Sequence, residues 1–426
     1  MPERNKSRWL IGAGIALVVG VWIFREPLRN RISQSATLAN PAPPPDLVGE
    51  MIERATDRPS AIMAAWNTGK IIHREVAARE IGNSFPPSQP LPAELEAIVL
   101  AGALDADVNV RDIALGILRN RQHPALGALV VAQLHDCDPQ TRLVGLNYLK
   151  QFDAGFGVPA VIPLLDEEDP LIIATALKLL EHWTDQKFDI KLAESAPREN
   201  EKTGLIEYPE GSRAKAMTAA RRAKSWWREH GGEFHPATLP AARPEPKLAR
   251  AADFSLRTLD GRQVRLADLR GKVVLINFWT TWCTACVAEM PELIALQKQH
   301  GDHLAIIGVS LDFVPDEHGH LGGHPAVEEQ SLPHAEEDSH EHNHAALLKV
   351  REKVARTIQA RGINYSILLD EANEIGGRFN GGELPTTVII DADGNLRRRF
   401  VGARSLPVFE AMIAEAGRPA TALSPR

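Results

Sequence analysis

The sequence predicts an α/β module at its C-terminal end, an all-α helical repeat region before it, and a single apolar span at the N-terminus. Three observations carry this reading. β-type and helical runs alternate after residue 250, the chain matches itself at a period of 31 residues between Pro92 and Thr184, and sixteen residues from Trp9 to Phe24 hold no charge. At 426 residues the chain exceeds a single-domain allowance of about 150 residues, so two or three folded units are expected. A composition of 44% hydrophobic and 24% charged residues excludes a wholly disordered or collagen-like chain. The net charge of −7, with no basic stripe to offset it, argues against nucleic acid as the main partner. Three cysteines are too few for a disulfide framework, so any disulfide here is expected to be chemical in purpose.

Arg4, Lys6 and Arg8 precede the uncharged run. The run is shorter than the roughly 20 residues of a usual span and must lean on Arg8, Trp9, Trp22 and Arg25 at the interfaces. An uncleaved signal anchor over 9–24 is expected, with 1–8 cytoplasmic and the remainder outside the cytoplasm. A cleaved signal peptide is the competing reading; its nearest small-residue cleavage pattern, Thr37-Leu38-Ala39, lies well beyond the run. Residues 25–50 include the proline-rich ATLANPAPPPDL and read as a stiff spacer.

A helical repeat domain is expected over 51–234. Asp107, Asp138 and Asp169 each begin a unit, and Leu115, Leu146 and Leu177 recur at one shared offset. Pro139 and Pro170 follow their aspartates as proline at N1 follows an N-cap. Paired helices stacked to bury one another's apolar faces fit this period, and the pattern resembles the HEAT-like repeats. Ser212–His230, with Trp226 and Trp227, reads as a capping helix. Cys137, in the turn before one repeat helix, is expected to act as a small buried hydrophobe.

A linker over 235–250 leads to the module at 251–417, followed by a tail at 418–426. Lys272–Trp279 and His303–Leu311 read as buried strands flanking a helix at Thr284–His300. Ser366–Leu369, Thr386–Asp391 and Asn395–Val401 follow as strands, the last two joined at Ala392-Asp393-Gly394, a hairpin signal. The first strand runs into Cys283-Thr284-Ala285-Cys286 where the helix begins. Helix-terminal N–H groups stabilise a thiolate there, so the Cys283 thiol is expected to ionise more easily than a free one. A zinc knuckle would need two further ligands nearby, and Val287 stands where c-type haem attachment needs histidine.

The stretches FSLRTLDGRQVRLADLRGKVVLINFWTTWCTACVAEMPEL and GGELPTTVIIDADGN resemble the TlpA/ResA family of membrane-tethered thioredoxin-like proteins. The resemblance covers roughly Leu248–Gly417. It implies a thioredoxin fold with Cys283 as attacking thiol, Cys286 as resolving thiol, a cis Leu384–Pro385 bond, and Glu289 assisting proton transfer. It further implies client contact at Trp282, Leu384 and Thr386. The expected function is a membrane-anchored thiol-disulfide oxidoreductase reducing protein disulfides, of cytochrome c maturation or copper-centre assembly type. It would sit in the bacterial inner membrane with its C-terminal domains in the periplasm, draw electrons from a membrane thiol donor, and use the repeats for protein contacts. No cofactor beyond the Cys283–Cys286 disulfide is required.

One segment departs from the family pattern. Residues 313–344 hold seven histidines, His318, His320, His324, His334, His340, His342 and His344, with eight acidic residues and no Lys or Arg. Imidazoles and carboxylates without competing cations suit copper or zinc, while a solvated low-complexity loop is the alternative. Two other functions remain open on sequence: a thiol peroxidase of the redoxin superfamily, and a non-catalytic copper or zinc carrier.

Overall fold

The computed structural model describes residues 47–199, 206–234, 248–313 and 339–418. The apolar span 9–24 therefore lies outside the described residues, as do most of the spacer and most of the histidine-rich segment. No helix among the described residues is long and apolar enough to cross a membrane.

The described chain divides into two compact units. One comprises His123 to Phe234, and the other joins Leu47–Gln122 to Leu248 and everything after it. The helical region expected as one domain over 51–234 is thus divided after residue 122. Local periodicity carries no sign of this division, because long-range contacts in the second unit create it.

The second unit begins with five helices, α1 (Leu47–Arg54), α2 (Arg58–Asn67), α3 (Ile71–Ser84), α4 (Ala93–Gly102) and α5 (Val108–Asn120). Asp107 caps α5, its Oδ1 accepting from the Asn109 and Val110 amides at 2.9 and 3.0 Å.

The 123–234 unit continues the same local design. It holds α6 (Leu126–Leu134), α7 (Pro139–Leu149), α8 (Ala154–Val161) and α9 (Pro170–Thr184), then a short α10 (Leu192–Ser195), the strand pair β1 (Arg198–Glu199) and β2 (Ile206–Glu207), and α11 (Ser212–His230). Asp138 and Asp169 cap α7 and α9 with proline at N1, as the sequence indicates. Gly157 permits close helix approach: a Cβ there would lie 2.3 Å from the Trp183 ring. Helix α11 buries an alanine face, Ala216, Ala219, Ala220 and Ala223, and packs on α9. Trp226 stacks on His230 and meets Phe188 edge-on. Cys137 is half-buried and takes no part in a disulfide.

In the second unit a hairpin, β3 (Ser255–Arg257) with β4 (Gln263–Arg265), precedes a five-stranded sheet of order β7-β6-β5-β8-β9. Its strands are β5 (Val273–Trp279), β6 (Leu304–Ser310), β7 (Ser366–Leu369), β8 (Thr386–Ile390) and β9 (Leu396–Val401). β5, β6 and β7 run parallel, and β8 and β9 are antiparallel to their neighbours. Every residue of β5 is buried, the pattern of a central strand covered on both faces. Gly394, at φ +87°, makes the β8–β9 turn that the Ala392-Asp393-Gly394 signal indicates. The helices are α12 (Thr284–His300), α13 (Ser339–Arg361), α14 (Glu374–Arg378) and α15 (Leu406–Ala416). This is a thioredoxin-like arrangement joined to a large helical N-terminal region. The β3–β4 hairpin escaped the sequence reading because each strand is only three residues long.

Candidate active site

The end of β5 sets the site. The strand delivers Trp279 into the interior, and the chain then turns through Thr280–Trp282 so that Cys283 stands at the N-cap of α12. Its Sγ accepts the Cys286 amide at 3.1 Å, satisfying one of the helix's unpaired donors. The two cysteines form a disulfide with S–S 2.06 Å and Cα–Cα 5.3 Å. Cys283 is 7% exposed and Cys286 2%, so the first sulfur is the more accessible one. Met290, Phe313, Val350 and Val354 share one buried apolar cluster with the pair, to which α13 contributes the two valines.

The turn is held from β6. Asp312 is fully buried and accepts the Thr281 amide with both oxygens at 3.0 Å, the Thr281 hydroxyl at 2.5 Å and the Ser310 hydroxyl at 3.0 Å. Burial pushes its carboxyl above the ordinary range, against the pull of these donors. Sequence reading missed Asp312, since a single aspartate after a strand carries no local signature. The two residues before Thr281 hold unpaired polar atoms. Trp279 Nε1 and Thr280 Oγ1 are buried without a hydrogen-bond partner among the described residues.

Glu289 lies one helical turn beyond Cys286 and is 2% exposed. Desolvation raises its carboxyl from the usual 4.5 to about 7, opposed by the Arg404 amide at 2.7 Å and the Asn277 side-chain amide at 2.9 Å. Asn277 Nδ2 also reaches Thr387 Oγ1 at 3.2 Å, so β5 and β8 together orient the acid. Asn277 is a further residue the sequence reading passed over, since it looks like one polar interruption of a buried strand. Burial, with the Glu289 charge adding to it, pushes the Tyr365 hydroxyl far above its ordinary range.

The Leu384–Pro385 bond is cis. Leu384 is half-buried and packs against the apolar cluster holding both cysteines, and Trp282 is half-buried as well. Thr386, expected to contact client, is fully buried as the first residue of β8, and its hydroxyl donates to the Glu383 carbonyl. Its side chain therefore braces the loop and offers nothing to solvent. His318, His320, His324 and His334 lie outside the described residues. His340, His342 and His344 fall in the first turns of α13, where the side chains are not described.

A disulfide-bonded cysteine pair at a helix N-terminus, a buried acid one turn deeper and a cis-proline loop whose Leu384 packs on the same apolar cluster define a thioredoxin-like protein. The AhpC/TSA family model matches residues 248–399. The thioredoxin-like protein YneN of Bacillus subtilis (strain 168) is 31% identical over 161 residues, spanning 38% of this chain and 75% of that one. The thiol-disulfide oxidoreductase ResA of Geobacillus kaustophilus (strain HTA426) is 28% identical over 155 residues, 36% of this chain and 67% of that one. A solved thiol:disulfide interchange protein of the thioredoxin family from Chlorobium tepidum TLS is 26% identical, covering 40% of this chain and 97% of that one at a TM-score of 0.29. The chain belongs to the thioredoxin-like protein family, and it is a thiol-disulfide oxidoreductase.

Proposed function

We propose that the protein reduces disulfides in protein clients outside the cytoplasm, held at the membrane by residues 9–24. The observation that carries this is the seat of Cys283 Sγ at the N-cap of α12, where the Cys286 amide already points at the sulfur. In the reduced enzyme the same amide and the helix N-terminus stabilise a Cys283 thiolate. That thiolate attacks one client sulfur, a mixed disulfide forms, and the other client sulfur leaves as a thiolate. Cys286 gives its proton towards Glu289, attacks Cys283 Sγ and releases the second client sulfur. Two electrons pass to the client, whose thiols take one proton from Cys286 by way of Glu289 and one from solvent, and a membrane dithiol donor restores the enzyme. Leu384 and the peptide at Pro385 dock the client chain beside Trp282. A role in cytochrome c maturation or copper-centre assembly fits a reductant tethered in this way.

The helices of 47–234 are read as HEAT-like and as a surface that presents clients. The seven histidines of 313–344 are read as a copper or zinc reservoir; replacing all seven is expected to remove tight copper and zinc binding in titration, and unchanged affinity ends that reading.

Cys286→Ser is the central test, because it should stall as a mixed disulfide that mass spectrometry identifies through its client. Absence of any Cys283-linked protein, or a Cys283/Cys286 potential as oxidising as about −120 mV against glutathione, overturns the reductant reading. Two cysteines within one helical turn favour disulfide exchange over peroxide chemistry, and rapid hydrogen peroxide consumption by the purified protein would reverse that preference.

A further inference from the structure

Asp107 begins a helix in the N-terminal region, yet its second oxygen faces the sheet. Oδ2 accepts from Arg399 Nη1 at 2.9 Å, and both side chains have no exposed surface. Arg399 belongs to β9, the edge strand of the sheet. Its amide donates to the Ala106 carbonyl at 2.9 Å, so residues 106 and 107 continue the sheet where an edge would otherwise stand open.

The rest of the guanidinium is committed elsewhere. Nε donates to the Phe379 carbonyl at 2.9 Å, and Nη2 donates to the Asn380 carbonyl. These two carbonyls open the loop that ends at Leu384 and cis-Pro385. Asn380 holds a left-handed backbone at φ +51°, and its side-chain amide reaches Glu75 Oε2 on α3 at 3.4 Å. Gly381 lies flat on Phe278, where a Cβ would come within 2.7 Å of the ring. The loop is thus gripped at its start by Arg399 and α3 and seated on β5.

Asp107 is itself fixed from behind. Its amide donates to Asp105 Oδ1 at 2.9 Å, and Asp105 is held by both Arg74 Nε and Nη2 at 2.8 and 2.9 Å. A connected set of ionic and amide contacts therefore runs from α3 through Asp105, Asp107 and Arg399 to the loop beside the cysteines. A pair serving stability alone would not require the remaining guanidinium donors to converge on two successive carbonyls of this loop.

We propose that Asp107 is a positioning residue for the loop Asn380–Pro385, acting through Arg399, so that the helical segment 47–122 sets how tightly a polypeptide disulfide docks beside Cys283. This rests on the reading above that the loop receives the client. A small disulfide needs the sulfur pair but little of the loop, whereas a polypeptide needs both.

Full-length Asp107→Asn keeps an oxygen to cap α5 and replaces the oxygen facing Arg399 by an amide NH2, so that both the charge and the acceptor are lost there; Asp138→Asn makes the same replacement at the matching cap of the other unit, where the neighbour is the Thr141 hydroxyl. The expected result is a rise of about tenfold in KM for insulin disulfides in Asp107→Asn, with kcat, and the rate with oxidised glutathione, within about twofold of wild type. Asp138→Asn should match wild type throughout. Arg399→Lys keeps the charge for Asp107 while losing the fork that holds two carbonyls, and should reproduce the KM rise; it carries the test if Asp107→Asn does not fold. Unchanged insulin KM in both variants, or an equal loss with insulin and glutathione, overturns the proposal. Leu384→Ala separates the two readings. If it raises insulin KM while Asp107→Asn does not, only the positioning role of Asp107 falls; if it leaves KM unchanged, client docking at the loop falls with it.

Discussion

Asp107 and Glu289 are both buried carboxylates of one compact unit, and their surroundings are opposite. Asp107 faces a guanidinium and two helix-terminal amides. Glu289 has a backbone amide and a side-chain amide as its donors, and desolvation holds its proton near neutrality. For Glu289 the loss of water outweighs its two donors and the Arg404 charge together, so this acid is left able to exchange a proton at working pH. The same contrast separates Asp107 from its counterparts in the repeat. All three aspartates cap with Oδ1, but Oδ2 goes to Arg399 in the first, to the Thr141 hydroxyl in the second and to the Tyr208 hydroxyl in the third.

The sharpest way to break the comparison is to remove Asp107 altogether. Asp107→Ala should lose about 3–5 kcal/mol in urea unfolding, since Arg399 is left buried without its carboxylate. A loss no larger than that of a simple cap, about 1 kcal/mol, would make the ion pair unimportant.

Glu289 should show itself through pH. Its folded-state carboxyl is raised from 4.5 to about 7, so the folded protein binds this proton more tightly than the unfolded chain. The stabilisation is complete below about 4.5 and is lost as pH rises through about 7. Glu289→Gln should remove this fall, so that the stability difference between variant and wild type changes by up to about 3 kcal/mol across that window. A difference independent of pH would mean that the acid does not titrate there.

Asn277→Ala takes one donor from Glu289. The pH midpoint of disulfide exchange should move upward by roughly one pH unit, because the ionised acid loses a hydrogen bond. An unmoved midpoint would leave Asn277 with a purely structural part. The smallest effect belongs to Asp138→Asn, which keeps its cap and has the Thr141 hydroxyl at its second oxygen; its unfolding free energy should stay within about 0.5 kcal/mol of wild type.

The strand, the cysteine pair and the helix after it were readable because their information is local. Strand β5, the cysteine spacing and the start of α12 at Thr284 follow one another directly, and the aspartate–proline starts of α7 and α9 are equally local. What escaped is nonlocal or lacks any repeated pattern. Asp312 meets Thr281 across 31 residues, Asn277 meets Thr387 across 110, and Arg399 meets Asp107 across 292. Asp107 was visible as the first capping residue of a repeat, but no periodicity discloses where its second oxygen points. For the same reason the division after Gln122 could not be anticipated, since α3 and α5 look in sequence like the helices that follow them.

The sequence separation of 292 between Asp107 and Arg399 also sets a timetable for the newborn chain. At about 5–20 residues per second, the first five helices leave the ribosome roughly 15–60 seconds before the arginine that completes them. The intervening unit emerges during that interval, while the earlier helices wait with an unanswered carboxylate. A chaperone that shields residues 47–122 during that interval would aid the yield of active enzyme more than one acting on the late-made redox segment.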